Sequence, residues 1–171
     1  YERLDIKGLQ WPCPDGTHPG TEILHKDKFT RGMGKFHPVK YLAPREGTDK
    51  DYPFVLTTGR LLQQYHTGTM TRRVEGIRKL VPECLIEINK EDAEKLSVND
   101  KEIVRLVSRR GTISARLNIN SGIKPGVLFV PFHFAEAAAN TLTIAALDPV
   151  AKIPEYKVCA VRVEKINQGI K

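Results

Sequence analysis

What this chain of 171 residues has little of narrows its function. Only 7% of its residues are aromatic, and its 27 lysines and arginines are spread out rather than interleaved with rings. Single-stranded nucleic acids are held by aromatic platforms set among basic residues. The net charge of +7 therefore reads as a basic surface, and no nucleic-acid partner is expected. Three cysteines, Cys13, Cys84 and Cys159, form no CxxC pair, which excludes a zinc ribbon or a clustered iron–sulfur motif. Scattered, odd-numbered cysteines fit reduced thiols, so a cytoplasmic location is expected. No apolar run approaches the roughly 20 residues of a membrane span. The histidines lack HExxH spacing, Ser97 and Ser108 lie in no GxSxG elbow, and no paired-carboxylate motif is present. No catalytic residue and no metal ligand are expected; the chain reads as holding something rather than transforming it. The start, "YERLDIKGLQ", has neither an initiating methionine nor a signal segment and reads as part of something longer.

What is present divides the chain in two. Residues 1–50 are rich in breakers, as in "WPCPDGTHPG", and poor in periodicity. Trp11, Phe29, Phe36 and Tyr41 argue against disorder there, since large aromatics are depleted in disordered segments. An extended arm lying on other protein surface is expected. Residues 51–171 read as a β domain, with strands near 54–58, 84–88, 102–108, 112–119, 127–131 and 158–166. Arg109-Arg110-Gly111 forms the turn of a hairpin, and Pro125-Gly126 a second turn. Asn89 is the expected cap of a helix over 90–96, with Asp92 as the capping-box acid. "HFAEAAAN" should add one or two helical turns. No strand–helix–strand rhythm is sustained, so a small closed barrel is expected rather than a parallel sheet.

The chemistry concentrates in "YPFVLTTGRLLQQYHTGTMTRR", residues 52–73. A strand runs into Gly59 and Gly68, which permit close backbone approach. Thr57, Thr58, Thr67, Thr69 and Thr71 supply hydroxyls, and Arg60, Arg72 and Arg73 supply forked donors suited to phosphate. A threonine-rich turn with a basic rim is the alternative. In "FHFAEAAANTLT", Asn140 offers donor and acceptor to a planar edge, while His133 either donates to a phosphate or caps a strand end. In "DPVAKIPEYK", Lys152 and Lys157 flank a rigid excursion.

In order, "YPFVLTTGRLLQQYHTGTMTRR", "INKEDAEKLSVNDKEIVRLVSRRG", "ANTLT", "DP" and "PEYK" resemble the C-terminal cofactor-binding domain of molybdopterin oxidoreductases. Within that superfamily the chain is most similar to formate dehydrogenase catalytic subunits, and "GLQWPCP" with "HPGT" resembles the segment leading into this domain. The resemblance implies a mainly β fold, a six-stranded double-psi β-barrel with short helices and the N-terminal arm. It also implies a bis-(molybdopterin guanine dinucleotide) centre carrying molybdenum or tungsten in the intact subunit, with none bound to the isolated fragment. By motif, Thr58, Gly59 and Arg60 touch the dinucleotide. His66, Thr67, Gly68 and Thr69 continue that surface; Asn140, Tyr156 and Lys157 come from later loops, and His133 is a further member. The metal ligand, the catalytic histidine and arginine, and a [4Fe-4S] cluster would belong to upstream domains, and an iron–sulfur subunit would carry electrons. The implied reaction of the intact enzyme is oxidation of formate to carbon dioxide. The same domain of a nitrate reductase is the nearest alternative; a basic nucleic-acid-binding barrel and a purely structural module are rivals of other classes.

Overall fold

The structure, a computed structural model, describes residues 8–166. The first seven residues of the expected arm and the last five of the expected β domain lie outside them. The chain divides into two compact units, Tyr1–Leu42 and Ala43–Lys171.

The described part of the first unit is held by turns rather than by helices or strands. Asp15 Oδ1 accepts from the Thr17 amide and hydroxyl and from the His18 amide, while Thr21 bonds back to the Gln10 and Pro12 carbonyls. Trp11, Phe36 and Tyr41 are 79, 99 and 87% exposed, so this unit does not bury its own aromatic groups.

In the second unit six strands close into a barrel: β1 (Phe54–Gly59), β2 (Leu85–Ile88), β3 (Ile103–Ser108), β4 (Thr112–Ile119), β5 (Val127–Pro131) and β6 (Cys159–Lys165). The order round the barrel is β1-β5-β2-β4-β3-β6. β1 runs parallel to β5 and β2 parallel to β4, while the other four pairings are antiparallel. Two parallel pairs interlocked in a closed six-stranded ring make the expected double-psi barrel. Closure leaves no strand edge unpaired, and alternation sends Leu56, Ile86, Ile88, Val104, Leu106 and Leu117 into a fully buried core.

Two short helices flank the barrel, α1 (Glu75–Leu80) and α2 (Lys90–Leu96). Asn89 caps α2 as expected, accepting from the Glu91 amide. Asp92 does not serve as the capping-box acid. It is buried, and its carboxylate accepts from the Gly126 amide at 2.6 Å, fastening α2 to the Pro125-Gly126 turn. Gly126 has φ +80°, the value that the third position of a type II turn takes and that glycine adopts without strain. α1 is not foreshadowed in the sequence reading. Gly76 lies inside it and none of its residues is buried, so no apolar stripe announces it. The expected turns in "HFAEAAAN" form as two 3-10 segments, Ala135–Ala137 and Ala139–Thr141.

Candidate functional site

Strand direction gathers the chemistry at one end. β1 and β5 are parallel and finish together, with Gly59 opposite Pro131. β6 is antiparallel to both β1 and β3, so it starts where they finish. The loops after β1 and β5, the approach to β6 and the β3–β4 turn therefore share one rim. The loops 89–102 and 120–126 occupy the other.

On this rim lies a cleft of about 470 Å³. Thr67, Gly68, Thr69 and Arg73 line one lip, and Phe132 and Asn140 lie on the other. No carboxylate is among the described residues that line it. The Thr67 and Thr69 hydroxyls are 3.0 Å apart, so either can also turn outward. The Arg73 guanidinium has no hydrogen bond or ion pair among the described residues, and the Asn140 side chain is exposed. Gly68 has φ +74°, and a Cβ there would meet Arg72 Cγ at 2.8 Å. Conformation and space both demand glycine. Beneath this lip the buried Gln64 accepts from the Thr71 hydroxyl at 2.6 Å, while its Nε2 is without a partner.

The other expected residues surround the cleft in different states of engagement. Arg60 is exposed; its Nη2 is 3.2 Å from His66 Nδ1, and its guanidinium lies 5.9 Å from the centre of the Phe132 ring. His66 adopts φ +48° and is likewise exposed. Thr58 is buried, and its hydroxyl donates to the Tyr156 carbonyl at 2.8 Å. The Lys157 ammonium donates to the Thr58 carbonyl. These bonds tie the segment before β6 to the end of β1 and leave the Tyr156 ring partly exposed. Gly59 is needed because a Cβ would run into the Phe129 ring.

Two groups suited to phosphate in the sequence are engaged inside the protein. His133 is 2% exposed, and its Nε2 accepts from the Leu61 amide at 2.9 Å. That acceptor role leaves the proton on Nδ1, which donates to the His66 carbonyl. Burial lowers its pKa, the His66 carbonyl opposes this, and Arg60 and Arg72 lower it further. A neutral His133 thus fastens the loop after β1 to the end of β5. Arg72 is also committed, in a two-pronged pair with Glu136.

A second node lies where the sequence reading saw only a breaker-rich arm. Glu46 accepts from both prongs of Arg110 (2.9 and 2.7 Å), from Arg109 (2.7 Å) and from the Ala160 amide (2.9 Å). Burial would raise its pKa, but the arginines and the amide outweigh it and bring the carboxyl to about 2. Arg110 Nε also donates to the Leu142 carbonyl, which follows Asn140 closely. Gly111 sits against the same segment, where a Cβ would lie 2.5 Å from Thr141 Cγ2. Glu46 therefore helps set the position of Asn140. Charge pairing across 64 residues leaves no local pattern by which Glu46 could have been found.

A closed barrel that carries hydroxyl, guanidinium and carboxamide groups beside aromatic rings and alanines in a cleft on one rim has the form of a small-ligand-binding domain. The chain belongs to the molydopterin dinucleotide binding domain family, whose model matches residues 54–160. It is 54% identical over 168 residues to the F420-dependent formate dehydrogenase subunit alpha of Methanocaldococcus jannaschii, covering 97% of this chain and 25% of that protein. The F420-dependent formate dehydrogenase 2 subunit alpha of Methanococcus maripaludis is 51% identical with the same coverage. The assimilatory nitrate reductase catalytic subunit of Bacillus subtilis is 37% identical, over 95% of this chain and 24% of that one. The chain thus spans about a quarter of the length of these relatives. Among solved structures, acetylene hydratase from Pelobacter acetylenicus superposes with a TM-score of 0.61 at 15% identity, over 68% of this chain and 19% of its own, a likeness of fold.

Proposed function

We propose that the rim binds the guanine dinucleotide end of a bis-(molybdopterin guanine dinucleotide) cofactor, as the C-terminal domain of a formate dehydrogenase catalytic subunit. The observation that carries this is the cleft, where an unpaired guanidinium, two hydroxyls and a free carboxamide converge with no carboxylate among its described lining residues. Arg73, with Arg60 beside the cleft, supplies charge-assisted bonds to phosphate. Thr67 and Thr69 donate to its oxygens, and Gly68 lets the chain pass close to it. Asn140 pairs with a planar donor–acceptor edge such as guanine. His133 and Thr58 hold the loops rather than the ligand. The orphan amide of Gln64 is a further donor beneath the cleft.

When bound in the intact subunit, the group supplies a molybdenum or tungsten centre able to take two electrons from formate. This chain's residues orient its nucleotide end and contribute no group to the chemistry. The isolated chain is therefore inactive. The formate assignment rests on the 54% and 51% identical relatives over the 37% identical nitrate reductase. By the same relatives, F420 is the proposed electron acceptor; the iron–sulfur subunit that would carry electrons to it, in the cytoplasm, rests on the family resemblance of the sequence alone. Among the described residues no helix is long and apolar enough to cross a membrane. The exposed aromatics of the arm would lie against upstream domains of the same subunit.

Arg60→Ala and Asn140→Ala in the intact subunit test the assignment. A hydrogen bond to a charged group contributes roughly 1.5–3 kcal/mol, so releasable guanine nucleotide should fall about ten- to a hundredfold for Arg60→Ala under dilution. Melting temperature should hardly change. Unchanged nucleotide content, or a fall only in step with unfolding, would show these residues to be structural.

A further inference from the structure

Two adjacent arginines on the first lip are treated differently by the fold. Arg73 is unpaired, whereas Arg72 reaches across to the second lip. Its Nη2 donates to Glu136 Oε1 at 2.6 Å and its Nη1 to Oε2 at 3.0 Å. Nη1 is also 3.4 Å from the His133 carbonyl, and the guanidinium carbon stands 4.8 Å from the centre of the Phe134 ring. Arg72 belongs to the 3-10 turn Thr71–Arg73 after β1, and Glu136 to the turn Ala135–Ala137 after β5. The absence of a side chain at Gly68 gives the Arg72 stem its path, since a Cβ there would overlap it.

As a stability element the pair contributes little. Its side chains are 29 and 54% exposed, so water screens much of the attraction between the charges. Its geometry is more informative. The fork fixes two planes against each other, and the ring beneath Arg72 removes the remaining freedom of the guanidinium. Those planes belong to the two lips of the cleft, which are joined nearer the strand ends through His133, bonded to the Leu61 amide and the His66 carbonyl, and farther out by this pair. The pairing also neutralises Arg72, leaving Arg73 as the unpaired cation of the lining.

We infer that Arg72 and Glu136 form a latch that holds the two lips of the cleft at a fixed width. Arg72 is a positioning residue, and Arg73 is the anion contact. The ligand half of this inference rests on the proposed function; the latch itself does not.

A double-mutant cycle on Arg72→Gln and Glu136→Gln tests it, read by amide hydrogen exchange in the chain and by guanine nucleotide content in the intact subunit. Either single change should speed exchange in both lips, 66–73 and 132–140, by about two- to fivefold. The double variant should be no faster than either single one, because the interaction can be lost only once. Nucleotide content should fall in both single variants at unchanged melting temperature. Additive effects, or loosening of only the lip that carries the substitution, would overturn the latch. If both lips loosen in the Glu136→Gln chain but nucleotide content stays constant, the assigned role in ligand retention is refuted while the latch is upheld. If Arg73→Ala also leaves nucleotide content constant, the reading of the cleft itself fails.

Discussion

Replacing Glu46 by glutamine should uncouple the segment around Asn140 from the barrel and change how stability responds to acid. The Glu46 side chain is only 9% exposed and takes four hydrogen bonds from Arg109, Arg110 and the Ala160 amide. Its carboxyl moves from 4.5 to about 2 on folding, and at 1.36 kcal/mol per pKa unit that corresponds to about 3 kcal/mol. Arg109 and Arg110 are themselves 37 and 25% exposed, so screening brings the figure nearer to 2 kcal/mol. Because the folded pKa is depressed, this stability is fully present above 4.5 and is lost as pH falls through about 2. Denaturant titrations of the parent chain and Glu46→Gln should show a gap of about 2 kcal/mol at pH 7. The gap should stay level down to about pH 5.5 and narrow by about 1 kcal/mol by pH 3.5, as the unfolded parent takes up its proton. Hydrogen exchange at 139–143 should quicken in the variant, since Arg110 also holds the Leu142 carbonyl. A gap that is absent at pH 7, or that does not change with pH, would refute the reasoning.

The remaining expectations concern packing, acid response and thiols. Gly111→Ala places a methyl 2.9 Å from the Thr141 carbonyl oxygen and should destabilise the chain by about 1–3 kcal/mol in thermal melts. Gly76→Ala meets nothing within 4 Å and lies inside α1, so it should stabilise by about 0.5–1 kcal/mol. His133→Ala leaves the Leu61 amide unpaired and should cost about 1–3 kcal/mol. Because its folded pKa is depressed, the parent but not this variant should lose a component of stability as pH falls below 6.5, seen in paired denaturant titrations. Burial pushes the Cys84 and Cys159 thiols up to about 12 and about 11, so at pH 8 iodoacetamide should label exposed Cys13 and spare the other two until the chain unfolds.

The barrel was legible because its signals are local. Alternation in "EIVRLVS" and "TISARLNI" marks two half-buried strands, and the register Val107 opposite Thr112 puts Gly111 in their turn as expected. Pro125 and Gly126 marked their turn for the same reason. The candidate rim was legible through residue type: Thr67, Gly68, Thr69 and Asn140 do line one cleft. What sequence could not show was which donors the fold itself consumes. Arg72 and Arg73 are identical in composition and adjacent, yet only Arg72 finds a carboxylate, 64 residues away. The same limit hid Glu46, whose partners lie more than 60 residues along the chain. It also left His133 open between ligand and cap until the Leu61 amide fixed its tautomer. Residues 43–50 read as arm because their sequence is rich in breakers, but they fall in the barrel unit.

The central claim is that one rim of this barrel holds the dinucleotide. Hydrogen exchange of the intact subunit, compared with and without its bound cofactor, tests this most directly. Protection should appear at 60–73, 132–143 and 154–157, where the loops after β1 and β5 and the approach to β6 converge. The loops at the opposite end, 89–102 and 120–126, should exchange alike in both states. Protection centred on those loops, or none on the first rim, would contradict the account.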